Sequence, residues 1–407
     1  MSRYKRYEKY KDSGVEWIGE IPEHWNTSSL RWYVSIKSGD FISQEDIDVE
    51  GKIPVIGGNG LMSYTNKTNC NYKTIAIGRV GALCGNVHLI RRPSWITDNA
   101  LFITNLSNKL YIEYLFYVLK ALDLNQYANK TAQPLISGSL VKSRIIPIPP
   151  IVEQAAIADF LDQKTAEIDD LIADKEKLIE LLQEKRQAII TEAVTKGLNP
   201  NVKMKDSGIE WIGEIPEHWE IRKLKYLGEA IIGLTYSPEE IADEGVLVLR
   251  ASNIKNNKIV FDDNVYVNKK VPKKLITRHG DILICSRSGS RELIGKNACI
   301  DENSEGFTFG AFMTVFRSKY WRYLYYVFNS TLFKYQSGSF LTSTINQLTI
   351  NNLNSFIVPL PPENEQKHIC DILDKKVENI DTLITEIQNQ IQKLKEYRQS
   401  LISEAVT

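Results

Sequence analysis

The sequence lacks the features that mark membrane and secreted proteins. No run of eighteen or more apolar residues occurs among its 407 residues, so no segment is long enough to span a bilayer as a helix. Residues 1–11 are basic and rich in tyrosine but lack the apolar core and cleavage site of a secretory signal. The five cysteines are odd in number and form no Cys-x-x-Cys pair, which predicts neither disulfides nor a zinc site. We therefore expect a cytoplasmic protein with reduced core cysteines and no membrane role.

Signatures of catalysis are also missing. The sequence contains no G-x-x-x-x-G-K-[ST] phosphate loop and no Asn-Pro-Pro-Phe or Asp-Pro-Pro-Tyr methyltransferase motif, and Gly57–Gly60 lacks the spacing of a cofactor loop. His24 and His218 have no neighbouring residues that would complete a metal or catalytic site. The sequence therefore predicts no catalytic residue and no metal ligand, and the tryptophans beside these histidines are interpreted as packing residues.

What the sequence does contain is a tandem duplication. Residues Lys11–Trp25 reappear as Lys205–Trp219, with a single difference between Val15 and Ile209. A second shared segment aligns Pro147–Thr195 with Pro359–Thr407 without a gap. The stretch between the two shared segments is longer in the second copy, so the length variation falls in this stretch.

The second shared segment has the seven-residue period of a coiled coil. The seam of the second copy is predicted at Leu373, Ile380, Ile387, Leu394 and Leu401, with Ile369, Leu383 and Tyr397 on the complementary seam. The matching series in the first copy is Leu161, Ile168, Lys175, Leu182 and Ile189, with Ile157, Leu171 and Leu178 as its complement. The lysine interrupts an otherwise apolar seam, as residues that fix the register of a coiled coil do.

Each long helix is predicted to begin after a proline pair. Proline cannot continue a preceding element, and the acidic Glu153 and Glu363 favour the positive end of a helix. Gly197 and Pro200 are predicted to end the first helix. A helix of about 43 residues would be roughly 65 Å long, which is typical of a spacer rather than of a core element.

The stretches between the shared segments, residues 26–146 and 220–358, have strand-like runs such as Lys73–Ile77 and Asp281–Cys285. Weak likenesses link the two stretches: Ile77–Gly81 with Cys285–Gly289, and Tyr114–Tyr117 with Tyr323–Tyr326. The sequence therefore predicts an α+β protein with two mixed α/β domains of one fold, separated by two long helices.

The formal net charge of zero conceals an uneven distribution. Residues 26–146 carry 13 basic and 8 acidic side chains, and residues 220–358 carry 18 basic and 13 acidic ones. The helical segments are acidic, with 5 basic against 11 acidic side chains in residues 151–195 and 6 against 9 in residues 363–407. Two basic domains on acidic helices suit contact with DNA at two separate places, although ordinary surface variation would also give these values.

These shared segments resemble those of the specificity subunits of type I restriction-modification enzymes. The resemblance rests on residues 12–25, on their copy at 206–219, and on the Pro-Pro-x-x-Glu-Gln motifs that begin at Pro149 and Pro361. It covers essentially the whole chain and implies two pseudo-symmetric target-recognition domains with an antiparallel coiled coil of the two helices. The domains are then residues 1–150 and 200–362, with the shared segments 11–25 and 205–219, and the helices are residues 151–199 and 363–407.

The resemblance also implies the function and the partners. Each domain would read one half of a bipartite, asymmetric target in double-stranded DNA, and the helices would set the spacing between the two halves. Two modification subunits, which are adenine methyltransferases, and restriction subunits would carry the chemistry. S-adenosylmethionine, ATP and magnesium would bind to these partners, and none of them to this chain.

The candidate DNA contacts of the first domain are Asn59, Lys67, Arg79, Arg91 and Arg92. Asparagine pairs with adenine and arginine with guanine in the major groove, whereas lysine suits phosphates. A plain turn would equally explain the glycines around Asn59. Arg79 matches Arg287 of the second copy, and this retention favours a structural role for both.

The candidate contacts of the second domain are Arg250, Asn253, Lys273, Lys274, Arg287, Ser288 and Arg291. Residues that differ between the copies are the better candidates for sequence reading, and the lysines around Pro272 suit phosphates or a solvated loop. The acidic residues Asp169, Asp170, Asp174, Glu176 and Glu180 fit either a solvated helix face or a docking surface for a partner.

Two other functional classes are alternatives to a specificity subunit. An enzyme with its own active site requires motifs that are missing, and it would methylate or cleave DNA without a partner. A coiled-coil scaffold that binds only protein would not discriminate between DNA sequences. A split adenine-methylation motif in the host genome distinguishes the specificity subunit from both.

Overall fold

The computed structural model describes residues 7–129, 134–339 and 346–407. The chain forms two compact units, of which the first comprises residues 1–176 and 388–407 and the second residues 177–387. Two long helices contribute residues to both units. The predicted boundaries at residues 150, 199 and 362 separate the recognition domains from the long helices. The two compact units each include part of both helices, so these boundaries stay a prediction.

The first unit is built mainly from short strands. Its strands are β1 Tyr10–Asp12, β2 Glu20–Pro22, β3 Asn26–Ser29, β4 Val34–Ser38, β5 Ile53–Gly57, β6 Gly60–Thr65, β7 Thr74–Gly78, β8 Val87–Ile90, β9 Trp95–Ile96, β10 Ala100–Leu106 and β11 Ile145–Ile148. Its helices are α1 Ile112–Ala121, α2 Gly138–Lys142 and the long α3 Ile151–Lys196, with 3₁₀ turns at Leu30–Trp32, Gln44–Asp46 and Leu124–Tyr127.

A four-stranded antiparallel sheet with the order β4-β10-β7-β8 forms the centre of this unit. Its middle strand β7 is buried along its whole length, because α1 packs on it through apolar residues such as Tyr114, Leu115 and Val118. A three-stranded sheet, β6-β5-β9, lies beside it and includes the parallel pair of β5 and β9. The strand predicted at Lys73–Ile77 is therefore confirmed.

The second unit repeats this construction. Its strands are β12 Met204–Asp206, β13 Glu214–Pro216, β14 Glu220–Lys223, β15 Glu229–Ile232, β16 Ile241–Ala242, β17 Val246–Leu249, β18 Ile254–Lys255, β19 Lys258–Ile259, β20 Tyr266–Val267, β21 Ile282–Cys285, β22 Asn297–Cys299, β23 Thr308–Phe309, β24 Met313–Arg317 and β25 Ile357–Leu360. Its helices are α4 Trp321–Phe328, α5 Thr331–Ser339, α6 Ile350–Ser355 and the long α7 Glu363–Val406. Its 3₁₀ turns are at Leu224–Tyr226, Pro238–Glu240, Ala251–Asn253, Lys273–Leu275 and Arg291–Leu293.

The sheets of the second unit correspond to those of the first. The order β15-β24-β21-β22 matches β4-β10-β7-β8, and the parallel pair of β17 and β23 matches β5 and β9. The sheet of β17 is extended by β20 and β16, which belong to the longer variable stretch of this copy. The predicted fold, with two mixed α/β domains of one kind and two long helices, is confirmed.

The long helices begin and end as predicted. The first starts directly after Pro149 and Pro150, and the second directly after Pro361 and Pro362. Gly197 follows the last residue of α3 with a φ of +75°, a conformation that glycine adopts without strain at the end of a helix.

Within each unit the two long helices run antiparallel. In the first unit, Asp169 pairs with Arg398, and Lys175 Nζ donates a hydrogen bond of 2.6 Å to Gln390. In the second unit, Arg186 Nε lies 3.0 Å from Asp381. The two ion pairs are equivalent, because the gapless alignment of the copies matches Asp169 with Asp381 and Arg186 with Arg398. Asp169 thus takes part in the helix pair, although its side chain is still 53% exposed.

The seam residues are covered to different degrees. Leu161, Ile168, Leu373, Ile380, Ile387 and Leu401 are buried, and Leu182, Ile189 and Leu394 are partly buried.

The complementary seam was predicted wrongly at four positions. Ile157 and Ile369 are buried, but Leu171, Leu178, Leu383 and Tyr397 are between 44% and 51% exposed. The buried complement instead includes Ile172, Val377 and Ile391, which follow seam residues by four positions rather than three. In the first copy both spacings hold an apolar residue after Ile168, whereas in the second copy the polar Lys376 and Gln390 already favour the spacing of four.

Smaller expectations can be compared with the structure directly. All five cysteines are free thiols, of which Cys70, Cys84, Cys285 and Cys370 are buried and Cys299 is partly exposed. Among the described helices, none is long and apolar enough to cross a membrane. Most of the basic N-terminal stretch, residues 1–6, lies outside the described residues.

Candidate nucleic-acid interface

A parallel strand pair in the first unit ends at an exposed edge. Beyond β5 and β9, the amide of Thr97 donates to the carbonyl of Ile56 at 2.9 Å. The amide of Arg79, which follows β7, donates to the carbonyl of Asn99 at 2.9 Å. Gly58 lies so close to this carbonyl that a β-carbon would be 3.0 Å from its oxygen. Three loops therefore meet at this edge.

The second unit has the same arrangement beyond β17 and β23. The amide of Gly310 donates to the carbonyl of Leu249, and the amide of Arg287 to the carbonyl of Phe312, both at 3.0 Å. These contacts match those of the first unit one for one. We call this feature the parallel-pair edge; it comprises residues 57–59, 79, 98 and 99 in the first unit and residues 250–252, 287, 311 and 312 in the second.

The side chains at the first edge are mostly amides and carboxylates. Asn59, Asp98 and Asn99 are exposed, and Asn59 Oδ1 accepts a hydrogen bond of 2.7 Å from Asn86. Arg79 Nη1 donates to Ser38 Oγ at 3.2 Å, which holds the guanidinium against β4. The position of Arg79 thus agrees with the structural role that its retention in both copies favours.

The second edge borders a cavity of about 1110 Å³. No carboxylate is among the described residues that line it, whereas two arginines, Arg250 and Arg287, take part. The Arg287 side chain is exposed and lies over the ring of Phe312, with 5.2 Å between the guanidinium carbon and the ring centroid. Ser288 lines the same cavity, and its amide donates to Asn346 at 3.3 Å.

The other candidates of the first unit lie away from the edge. Lys67 Nζ is 2.6 Å from Asp46, and the hydrogen bonds from Lys67 and Ser43 lower the pKa of this carboxyl. Arg91 lies 3.3 Å from Asp162 at the start of α3, and Arg92 is exposed. Lys67 and Arg91 therefore have acidic partners within the chain.

The remaining candidates of the second unit fall into two groups. Asn253 is fully buried, and its amide nitrogen lies 3.0 Å from the carbonyl of Val260, so its side chain holds a turn and does not face solvent. Lys273 and Arg291 are exposed, whereas Lys274 is paired with Glu229 at 2.5 Å. The buried side chain of Asn253 is therefore not part of the exposed surface of the second unit.

The shared segments form matching clusters at the start of each long helix. Glu153 accepts a hydrogen bond of 2.9 Å from the buried indole of Trp25 and lies 2.8 Å from His24 Nε2. Tyr7 also donates to this carboxylate at 2.8 Å, and burial together with this hydrogen bond raises the pKa of Tyr7 to about 12. We call these four residues the Glu153 cluster.

Glu365 repeats this arrangement in the second unit, with Trp219 Nε1 at 3.1 Å and His218 Nε2 at 2.7 Å. The histidines therefore serve to hold the shared segment on its helix. Among the described residues, no group of three or more His, Cys, Asp or Glu side chains is placed to hold a metal ion.

Two kinds of residue were missed by the sequence interpretation. Phe312 and Asn99 occupy the same position of the edge, but nothing in their sequence neighbourhoods marks them as equivalent. The hydroxyls of Tyr114 and Tyr323 both donate to the carbonyls of equivalent prolines, Pro147 at 3.2 Å and Pro359 at 3.0 Å. The Tyr-Leu-x-Tyr pattern that both copies share was the signal from which the hydrogen-bonding role of these two tyrosines could have been predicted.

Comparison with known proteins gives a consistent result. The chain matches the family described as "Type I restriction modification DNA specificity domain" twice, over residues 22–181 and 216–393. It is 26% identical over 376 residues to the type I restriction enzyme MjaVIII specificity subunit of Methanocaldococcus jannaschii, covering 89% of this chain and 82% of that protein. It is 29% identical over 439 residues to the putative MjaX specificity subunit of the same organism, covering 95% and 94%.

A similar fold is found among solved structures. The chain superposes with a TM-score of 0.69 on a chain from a structure of "the type I R-M system", described for its complex assembly and conformational transition. The two chains are 14% identical, and the match covers 95% of this chain and 98% of that one. This likeness shows the fold.

Proposed function

Because the chain belongs to the family of type I restriction-modification DNA specificity proteins, we propose that each of its two units reads one half of a bipartite, asymmetric DNA target. The chain is a specificity subunit and is itself non-catalytic. It directs adenine methylation or cleavage that partner subunits carry out.

The observation that carries this proposal is the parallel-pair edge. The backbone contacts of the edge are the same in both units, whereas the side chains differ at every position except Arg79 and Arg287. A surface that keeps its frame and changes its donors and acceptors suits the reading of two different base sequences.

We propose two modification subunits as partners, because each unit offers its own copy of the helix start and the shared segment. Restriction subunits complete the cleaving complex. S-adenosylmethionine, ATP and magnesium would be bound by these partners and not by this chain. We place the chain in the cytoplasm together with the DNA on which such a system acts.

Sequencing of methylated bases in a host that carries this chain with its modification subunits tests the proposal. We expect one split motif with a methylated adenine in each half, and no such motif in the matched host without the gene for this chain. An uninterrupted motif, or the same motif without the chain, would contradict the proposal. Methylation of DNA by the purified chain alone would contradict its non-catalytic role.

A further inference from the structure

The parallel-pair edge of the second unit differs chemically from that of the first, and this difference specifies what it can read. We propose that Arg287, supported by the ring of Phe312, recognises a guanine in the half-site of the second unit. This proposal rests on the proposed function and adds to it the residue and the base.

The guanidinium of Arg287 is exposed and lies on an aromatic ring. Its guanidinium makes no hydrogen bond or ion pair with any described residue, although its backbone is fixed by the bond to Phe312. The ring of Phe312 is itself 59% exposed, so it lies at the surface together with the guanidinium. An aromatic ring under a guanidinium restrains the plane of the donors without using any of them.

The geometry of a guanidinium matches the edge of one base in particular. Guanine presents two acceptors, O6 and N7, in the major groove, and a planar guanidinium can donate to both at once. Adenine presents one acceptor and one donor there, so the same arginine would leave a donor without a partner. Arg287 therefore favours guanine over adenine at the position that it faces.

Arg250 supports a nucleic-acid ligand for the same cavity. Its Nη2 atom lies 2.8 Å from Asp263, which fixes the side chain at the cavity wall. Its Nε atom is buried and has no partner among the described residues. This atom is closed to solvent and is not itself a ligand contact, so Arg250 contributes the positive charge of its guanidinium to a cavity wall that has no carboxylate among its described residues.

The first unit provides the contrast. Arg79 occupies the place of Arg287, and its guanidinium donates to Ser38. The structural role that retention in both copies favours therefore fits the side chain of Arg79, whereas at Arg287 it fits only the backbone contact with Phe312. Asn99 stands where Phe312 stands, so the aromatic support is absent at this position. Asn59 corresponds to Ser252, and an asparagine amide can pair with both major-groove groups of adenine. The two units thus combine one backbone frame with different recognition chemistry.

The test uses the complex of the full chain with its modification subunits and compares four versions of the chain. Arg287→Gln removes the guanidinium, and Arg287→Lys keeps the charge but loses the planar pair of donors. Arg222→Gln is the control, because Arg222 is an exposed arginine of the same unit that pairs with Glu220 and lies outside the edge. Methylation motifs are determined in the host, and binding of purified complexes is measured on duplexes that differ at single positions.

We expect the wild-type motif to contain a G·C pair that becomes degenerate in the Arg287→Gln and Arg287→Lys complexes, while the other half-site is unchanged. The binding preference for that pair should fall by about 10- to 100-fold, as for loss of a bidentate contact. Arg222→Gln should retain the wild-type motif.

Other outcomes would overturn the inference. An unchanged motif in both Arg287 variants excludes a reading role, and relaxation at an A·T pair excludes guanine. If Arg287→Gln abolishes methylation, binding of the Arg287→Lys complex to the same duplexes distinguishes the two kinds of contact. An equal loss of affinity on all duplexes shows a phosphate contact and refutes base reading. A wild-type complex without a split motif would instead refute the proposed function itself.

Discussion

The Glu153 cluster shows how one carboxylate can fix a large shared segment. Trp25 is almost completely buried, and its indole N–H has the Glu153 carboxylate as its acceptor. Burial alone would raise the pKa of Glu153, but the hydrogen bonds from Trp25, Tyr7 and His24 outweigh it and hold the pKa below its ordinary value. The charged form of Glu153 is therefore favoured in the folded chain.

We predict that Glu153→Ala lowers the free energy of unfolding by about 1–3 kcal/mol, because the buried indole N–H of Trp25 loses its acceptor. Thermal unfolding followed by tryptophan fluorescence measures the effect. Glu16→Ala is the control, since Glu16 is exposed and has no hydrogen bond or ion pair with a described residue. Equal melting temperatures of the two variants would show that the cluster does not stabilise the unit.

The same carboxylate predicts a pH dependence. Because the pKa of Glu153 is lowered in the folded state, its contribution to stability is present above the ordinary value of 4.5 and is lost as the pH falls through the folded pKa. Between pH 6 and pH 3, the wild type should therefore lose more stability than Glu153→Gln. The free energy of unfolding is measured by urea denaturation at each pH. An equal fall for the wild type and Glu153→Gln would contradict the lowered pKa of Glu153.

At the scale of elements, the long helices could be predicted almost completely from the sequence. Their starts follow from the proline pairs, the end of α3 follows from Gly197, and the heptad series marks one seam. In the first copy Leu171 and Ile172 are both apolar, so the pattern there leaves the second seam open. In the second copy Val377 and Ile391 are apolar beside the polar Lys376 and Gln390, and this already favours the spacing of four. The choice depends on the face that packs against the partner helix, which is a tertiary contact.

We predict that Ile172→Ala destabilises the first unit by about 2–4 kcal/mol, since it removes a buried side chain from the helix pair. Leu171→Ala should cost less than about 1 kcal/mol, because Leu171 is 44% exposed. Denaturant unfolding of the two single variants gives the comparison. A larger destabilisation by Leu171→Ala than by Ile172→Ala would show that Leu171 packs in the helix pair, as the sequence pattern predicted.

The edge could be predicted only in part. Arg79 and Arg287 were recognised as equivalent because short runs around them match, and the structure places both in the same backbone contact. The equivalence of Asn99 and Phe312 could not be predicted from the sequence, because the segments before them differ in length and composition. Long-range strand pairing, rather than local propensity, brings these residues to the edge.

At the scale of the whole molecule, the duplication makes each half of the chain a substitute for the other. The ion pairs of the helices are reciprocal, since Asp169 is equivalent to Asp381 and Arg186 to Arg398. Two copies of the first helix could therefore pair antiparallel, with Asp169 of each copy facing Arg186 of the other. The same seam residues would cover one another.

A fragment of residues 1–199 should accordingly form a dimer and, with modification subunits, should methylate a symmetric target. Sedimentation equilibrium gives the oligomeric state, and methylome sequencing gives the motif. Asp169→Arg should weaken the dimer, and the double change Asp169→Arg with Arg186→Asp should restore it. A monomeric, inactive fragment would show that the two halves are not interchangeable.

The near-identity of residues 11–25 and 205–219 also has a consequence for the gene. Where the two coding segments are also alike in nucleotide sequence, recombination between them can join one unit to another in frame. Every such junction falls in the segment that carries the His and Trp partners of Glu153 or Glu365, which are the same in both copies, so the hybrid keeps the contacts that hold the unit to its helix. A lineage can thus acquire a new target in a single genetic event, without passing through intermediates that bind DNA poorly.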